Sequence, residues 1–186
     1  MTMLLDASRS HLFVVDVQQR LFPAILDGEK LLPRIGILLR AAERLAVPVT
    51  VTEQYPKGLG PTVDGVRDAL PGNAVVLEKM TFSAAYDEAI RERVEGLKRE
   101  GRDQLVICGT EAHVCVLQSA LKFRQMGFEV AVVADAVSSR AAESVSAACA
   151  RLLHAGCHWV TTEMVVFEWL GRAGTDDFRA LSALIK

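Results

Sequence analysis

The chain has little that would mark it as anything but an ordinary globular protein. Among 186 residues the longest apolar stretches fall well short of a membrane span, so no membrane association is expected. Net charge is only −2, with acids and bases mixed along the whole length. No basic block or basic-aromatic patch appears, so no nucleic-acid partner is expected. Met1 to Arg9 lacks an apolar core followed by a cleavage site, so no secretory signal is expected. There are four cysteines, Cys108, Cys115, Cys149 and Cys157, and none forms a C-x-x-C pair. A chain of this size with no export signal does not need a disulfide framework, so reduced thiols and a cytoplasmic location are expected. G-x-G-x-x-G, Walker A, G-x-S-x-G and H-E-x-x-H are all absent. Dinucleotide cofactors, P-loop chemistry, serine esterases and zincins are thereby unsupported, and no cofactor is expected.

What is present is alternation. Short apolar runs at His11–Val17, Val47–Thr52, Ala74–Glu78, Gln104–Gly109, Glu129–Ala134 and His158–Val160 read as strands buried on both faces. Between them apolar residues recur at helical spacing, as in Leu31, Ile35, Leu38, Ala42 and Leu45, or Ala89, Ile90, Val94 and Leu97. Gly127 and Gly156 stand where helix C-caps belong. Repeated βαβ units imply a Rossmann-like, three-layer α/β/α fold on a six-stranded, mainly parallel sheet. A single domain over residues 1–186 is expected. Gln54–Gly72, rich in Gly and Pro, reads as a long loop with a short helix on the ligand-binding edge.

Three reactive residues share one position in this pattern. Asp16, Lys79 and Cys115 each lie at or just past the C-terminal end of an expected strand. In an open α/β sheet such ends converge on one crevice, and an acid, a cation and a thiol together are the parts of a nucleophilic site. Asp16 interrupts an apolar run, where a carboxylate needs a partner or a task; capping a nearby turn is the plainer alternative. Lys79 alone would read as a surface lysine, and its strand-end position is what singles it out. Cys115 follows a strand, a glycine bend and the start of a helical period. A first-turn thiol there is expected to have a lowered pKa and to be the one hyper-reactive cysteine. Cys108, Cys149 and Cys157 read as packing residues. A His113–Cys115 dyad is disfavoured because residues two apart diverge on a helix, which leaves His113 as pocket wall. Cys149, His154, Cys157 and His158 do not form a spacing that completes a metal shell, so no metal is expected.

Three stretches together carry a family resemblance: Val14-Val15-Asp16-Val17-Gln18, then Glu78-Lys79 with Phe82-Ser83-Ala84, then Gly109-Thr110-Glu111-Ala112-His113-Val114-Cys115-Val116. In that order and spacing the chain resembles the isochorismatase-like cysteine hydrolases over nearly its whole length. These include nicotinamidases, N-carbamoylsarcosine amidases and isochorismatases. The segment from Glu53 to Thr62 is most similar to the uncharacterised isochorismatase domain-containing branch. The resemblance implies an Asp16–Lys79–Cys115 triad and a cis Thr110–Glu111 peptide. It also implies an oxyanion hole from the backbone N–H groups of Glu111 and Cys115, and a homo-oligomer. Metal-binding nicotinamidases of the family carry Asp-x-His after the second strand, whereas Thr52-Glu53-Gln54-Tyr55-Pro56 here has no histidine. The expected activity is hydrolysis of a small-molecule amide or related C–N bond through a thioester. Leu21, Phe22, Tyr55, Phe82 and His113 are the candidate pocket wall. Isochorismatase-type vinyl-ether hydrolysis, or a non-catalytic protein retaining the fold, are the alternatives.

Overall fold

A computed structural model describes residues 4–185; the first three residues of the Met1–Arg9 stretch and Lys186 lie outside it. Six strands form one sheet: β1 (Ser10–Val15), β2 (Val49–Gln54), β3 (Val75–Lys79), β4 (Gln104–Thr110), β5 (Glu129–Ser138) and β6 (His158–Val160). Their order is β3-β2-β1-β4-β5-β6, and every pairing is parallel. The order reverses direction between β1 and β4, the switch point at which ligands bind beyond the strand ends.

Alternation along β1 explains the two cores. Leu12 and Val14 face one side, where α1 (Gly28–Arg44), α7 (Thr162–Leu170) and α8 (Asp176–Ser182) pack through Ile35, Leu38, Val165, Trp169 and Leu181. Phe13 and Val15 face the other, against α4 (Glu88–Arg99), α5 (Leu117–Gln125) and α6 (Ala142–His154) through Ile90, Val94, Phe123 and Leu152. Successive strand residues point to opposite faces, so a sheet covered on both sides needs a near-continuous apolar run. β1 is buried at all six positions.

Strand ends differ from the sequence expectation where function is concentrated. β1 stops at Val15, because Asp16 turns left-handed with φ 52°. β2 runs on to Gln54, two residues beyond the expected end, because its polar tail pairs with β3 in register, Gln54 opposite Lys79. β5 reaches Ser138 rather than Ala134: the register shifts between Ile107 and Gly109, and Gly109 and Thr110 then pair with Val137 and Ser138. Gly109 makes the closest approach. With φ 129°, a Cβ there would sit 2.1 Å from the Val15 carbonyl oxygen. Only glycine lets β4 lie that near β1.

The 54–72 region contains two one-turn helices, α2 (Pro56–Leu59) and α3 (Asp64–Arg67), where one was expected. It is stitched to the loop after β1. The Gln18 side chain donates to the carbonyls of Gln54 at 3.0 Å and Gly60 at 2.6 Å, and accepts from Gln54 N–H at 2.8 Å. Among the described residues, no helix is long and apolar enough to cross a membrane.

Candidate active site

Three neighbouring strands end in the same way. Asp16 after β1, Tyr55 after β2 and Glu111 after β4 all take left-handed φ, at 52°, 39° and 58°. Non-glycine residues in this region are uncommon and cluster where surrounding structure holds them for a purpose. Each turns the chain sharply at the carboxyl edge of the sheet.

Asp16 and Lys79 meet at the centre. Lys79 Nζ donates to Asp16 Oδ2 at 2.7 Å, and neither side chain is exposed. Asp16 Oδ1 accepts from Thr52 Oγ at 2.7 Å, and its backbone carbonyl accepts from Thr110 Oγ at 2.6 Å. Lys79 Nζ also donates to Gln54 Oε1 at 2.6 Å, and Gln54 Nε2 donates to the Met80 carbonyl at 2.9 Å. Both charges are thus paired and further hydrogen-bonded, which is what a buried ion pair requires. Sequence reasoning missed Thr52, Gln54 and Thr110. Their signal was available: polar residues at the ends of buried strands, where a parallel sheet otherwise holds apolar ones.

Cys115 is 4% exposed and lies in a π-helical turn, Ala112–Val116, which leads into α5. Burial, with Asp16 acting in the same direction and Lys79 against it, pushes its thiol up to about 12. The expected lowered pKa is therefore corrected. A nearly buried thiolate loses more solvation than one ammonium returns, and that ammonium already serves Asp16. The resting thiol is protonated, beside a carboxylate able to accept the proton. Burial also raises Cys108, and Cys157 is pushed up to about 11, so acidity does not single out Cys115 among the thiols.

The expected cis peptide is also corrected. No cis bond occurs among the described residues; the reversal is made by the left-handed Glu111, φ 58° and ψ 56°. A left-handed residue bends the chain at smaller cost than a non-proline cis bond. The Glu111 carbonyl accepts from Val114 N–H at 2.9 Å and Val116 N–H at 3.3 Å.

The pocket-wall candidates divide. Tyr55 and Phe82 are exposed, at 47% and 56%. Leu21 and Phe22 follow Asp16 and pack partly against the core; the Phe22 ring covers Gly28, where an added Cβ would meet it at 3.1 Å. His113 is half-buried, and its Nδ1 pairs with Ser139 Oγ at 3.0 Å. Glu53 pins the loop: Oε1 accepts from Thr62 N–H and Oγ, both at 2.7 Å. Among the described residues, no group of three or more His, Cys, Asp or Glu side chains could hold a metal ion.

Known proteins agree with this frame. The chain is 35% identical over 179 residues to the secreted isochorismatase effector Isc1 of Phytophthora sojae, covering 95% of this chain and 84% of that one. It is 32% identical over 179 residues to mouse isochorismatase domain-containing protein 2A, covering 95% and 82%. The structure of MAR1 ribonuclease from Caenorhabditis elegans superposes with a TM-score of 0.90 at 31% identity, covering 97% and 91%. The isochorismatase domain model matches residues 10–164, and the chain belongs to that family.

Proposed function

We propose that this protein is a cysteine hydrolase acting on a small-molecule amide or related C–N bond, with Cys115 as nucleophile. The observation that carries this reading is the fully buried Lys79–Asp16 pair beside a thiol that burial keeps protonated. Such a thiol needs a base at the moment of attack, and the carboxylate is in place to serve.

Asp16 takes the Cys115 proton as sulfur bonds to the carbonyl carbon, and Lys79 orients the Asp16 carboxylate and offsets its charge before the transfer. The carbonyl oxygen becomes an oxyanion, received by the backbone N–H groups of Glu111 and Cys115; each such donor is worth roughly 3 kcal/mol. As the C–N bond breaks, Asp16 returns its proton to the leaving nitrogen, and a thioester remains. Water, deprotonated by Asp16, attacks the thioester. The acid is released and the thiol is restored. No cofactor or metal enters these steps.

The charges of the site favour an uncharged substrate: Lys79 is spoken for by Asp16, and Arg140 by Glu111. Tyr55, Phe82, Leu21, Phe22 and His113 form its wall in this proposal. The same reading includes a homo-oligomer working in the cytoplasm, with no nucleic-acid or membrane partner.

The test is a panel of small amides, carbamoyl compounds and isochorismate, assayed with wild type and Cys115→Ala and followed by intact mass. Amide turnover with an acyl adduct on Cys115 is expected. Turnover of isochorismate with no adduct would replace this reading with vinyl-ether hydrolysis. No turnover of any compound would favour a binding protein that retains the fold.

A further inference from the structure

The turn that carries Cys115 is not held by its own strand and helix alone. Glu111, its left-handed pivot, has a side chain only 10% exposed, and the half-exposed Arg140 grips both of its carboxylate oxygens. Arg140 Nε donates to Oε1 at 3.0 Å and Arg140 Nη2 to Oε2 at 3.3 Å. Arg140 lies just past the end of β5, and its neighbours grip the same region. Ser139 Oγ meets His113 Nδ1 at 3.0 Å, one residue from the middle of the turn. The Ser139 carbonyl accepts from Leu26 N–H at 2.8 Å, and Ser138 Oγ donates to the Leu26 carbonyl at 2.7 Å. The corner 138–140 is thereby tied to the loop after β1 on one side and to the Cys115 turn on the other.

A non-glycine residue at φ 58° relaxes toward ordinary backbone unless something opposes it. A planar guanidinium bonded to both carboxylate oxygens opposes rotation in a way that one ammonium cannot. Rotation at Glu111 would swing its own N–H and the amides that follow, and a displacement of about 1 Å is enough to weaken a preorganised donor.

From this geometry we infer that Arg140 is a positioning residue: through its two-point grip on Glu111 it aims the backbone amides of the Cys115 turn at the substrate oxyanion. This rests on the proposed acyl-transfer reading, which supplies the oxyanion. Arg140 touches neither sulfur nor substrate in this role.

Two probes separate aiming from simple reactivity. Acylation of Cys115 by p-nitrophenyl acetate passes through an oxyanion, whereas alkylation by iodoacetamide does not. In Arg140→Met, acylation is expected to fall by about tenfold or more, the range for a weakened oxyanion donor, and alkylation to stay within about twofold. Arg140→Lys should recover only part of the loss. Glu111→Gln should reproduce it, and adding Arg140→Met to Glu111→Gln should lower the rate little further. Hydrogen exchange gives an arm independent of chemistry: amides in 110–116 should exchange faster in Arg140→Met, with β1 and β4 unchanged.

Unchanged acylation, or unchanged exchange over 110–116, would overturn the inference. So would alkylation falling in step with acylation, because Arg140 would then act on the thiol and not on the amides. A wild-type protein whose Cys115 is not acylated would count against the nucleophile reading, and exchange alone would then decide whether Arg140 holds the turn.

Discussion

Lys79 Nζ stands 2.7 Å from Asp16 Oδ2, and both side chains are sealed from solvent. An isolated charge in that position would be untenable, so the two residues are obliged to each other. The pairing also crosses the sheet. Asp16 follows β1 and Lys79 ends β3, with β2 between them supplying Thr52 and Gln54 as the hydrogen-bonding partners on each side.

Lys79→Met is expected to do more than slow the reaction. It leaves the Asp16 charge buried without its partner, a change that costs about 3–5 kcal/mol in comparable pairs. Urea unfolding should show a lower midpoint, and Cys115 should alkylate more slowly at mildly alkaline pH, since Lys79 is what opposes the rise of its pKa. A surface lysine could be replaced at little cost to folding; one half of a fully buried pair cannot. A variant of wild-type stability and reactivity would remove Lys79 from the site.

Asp16→Asn separates two roles of the carboxylate. Asp16 raises the Cys115 pKa, so its removal should lower that pKa and speed alkylation by iodoacetamide at a fixed pH. Hydrolysis should nevertheless collapse, by about 100-fold or more, because the base and the proton donor to the leaving group are gone. The two rates are predicted to move in opposite directions. If both fall together, Asp16 is a structural residue.

His11 makes acid stability informative. It is fully buried on β1, with Nε2 2.8 Å from Thr50 Oγ and Nδ1 lacking a partner among the described residues. Burial, with Arg93 and Arg102 nearby, depresses its pKa from 6.5 to about 3. The unfolded chain therefore takes up a proton before the folded one does. This contribution to stability is fully present above pH 6.5 and is lost as pH falls toward 3. Between about pH 7.5 and 5 the loss should be about 2 kcal/mol. Chemical unfolding at the two pH values tests this, with His11→Gln as control. An equal pH response in wild type and His11→Gln would show that His11 is not the source.

Much was legible in the residues themselves. The alternation of apolar runs with helical periods is a local property of the chain, and it determined the parallel sheet, the six strands and the layers on either side. The switch-point rule then marked Asp16, Lys79 and Cys115 as neighbours without any coordinates, because βαβ units deliver every strand end to one edge. The family was legible for the same reason, its motifs being those strand ends. Tertiary structure alone decided everything that depends on which strand lies beside which. Gln54 reached Lys79 only because β2 and β3 pair in that register, and Arg140 reached Glu111 only because β5 runs alongside β4 past an irregular step. The Cys115 pKa belongs to the same class. Helix position argued for a lower value, but burial is set by the whole fold, and in the assembled site desolvation outweighs the nearby cation.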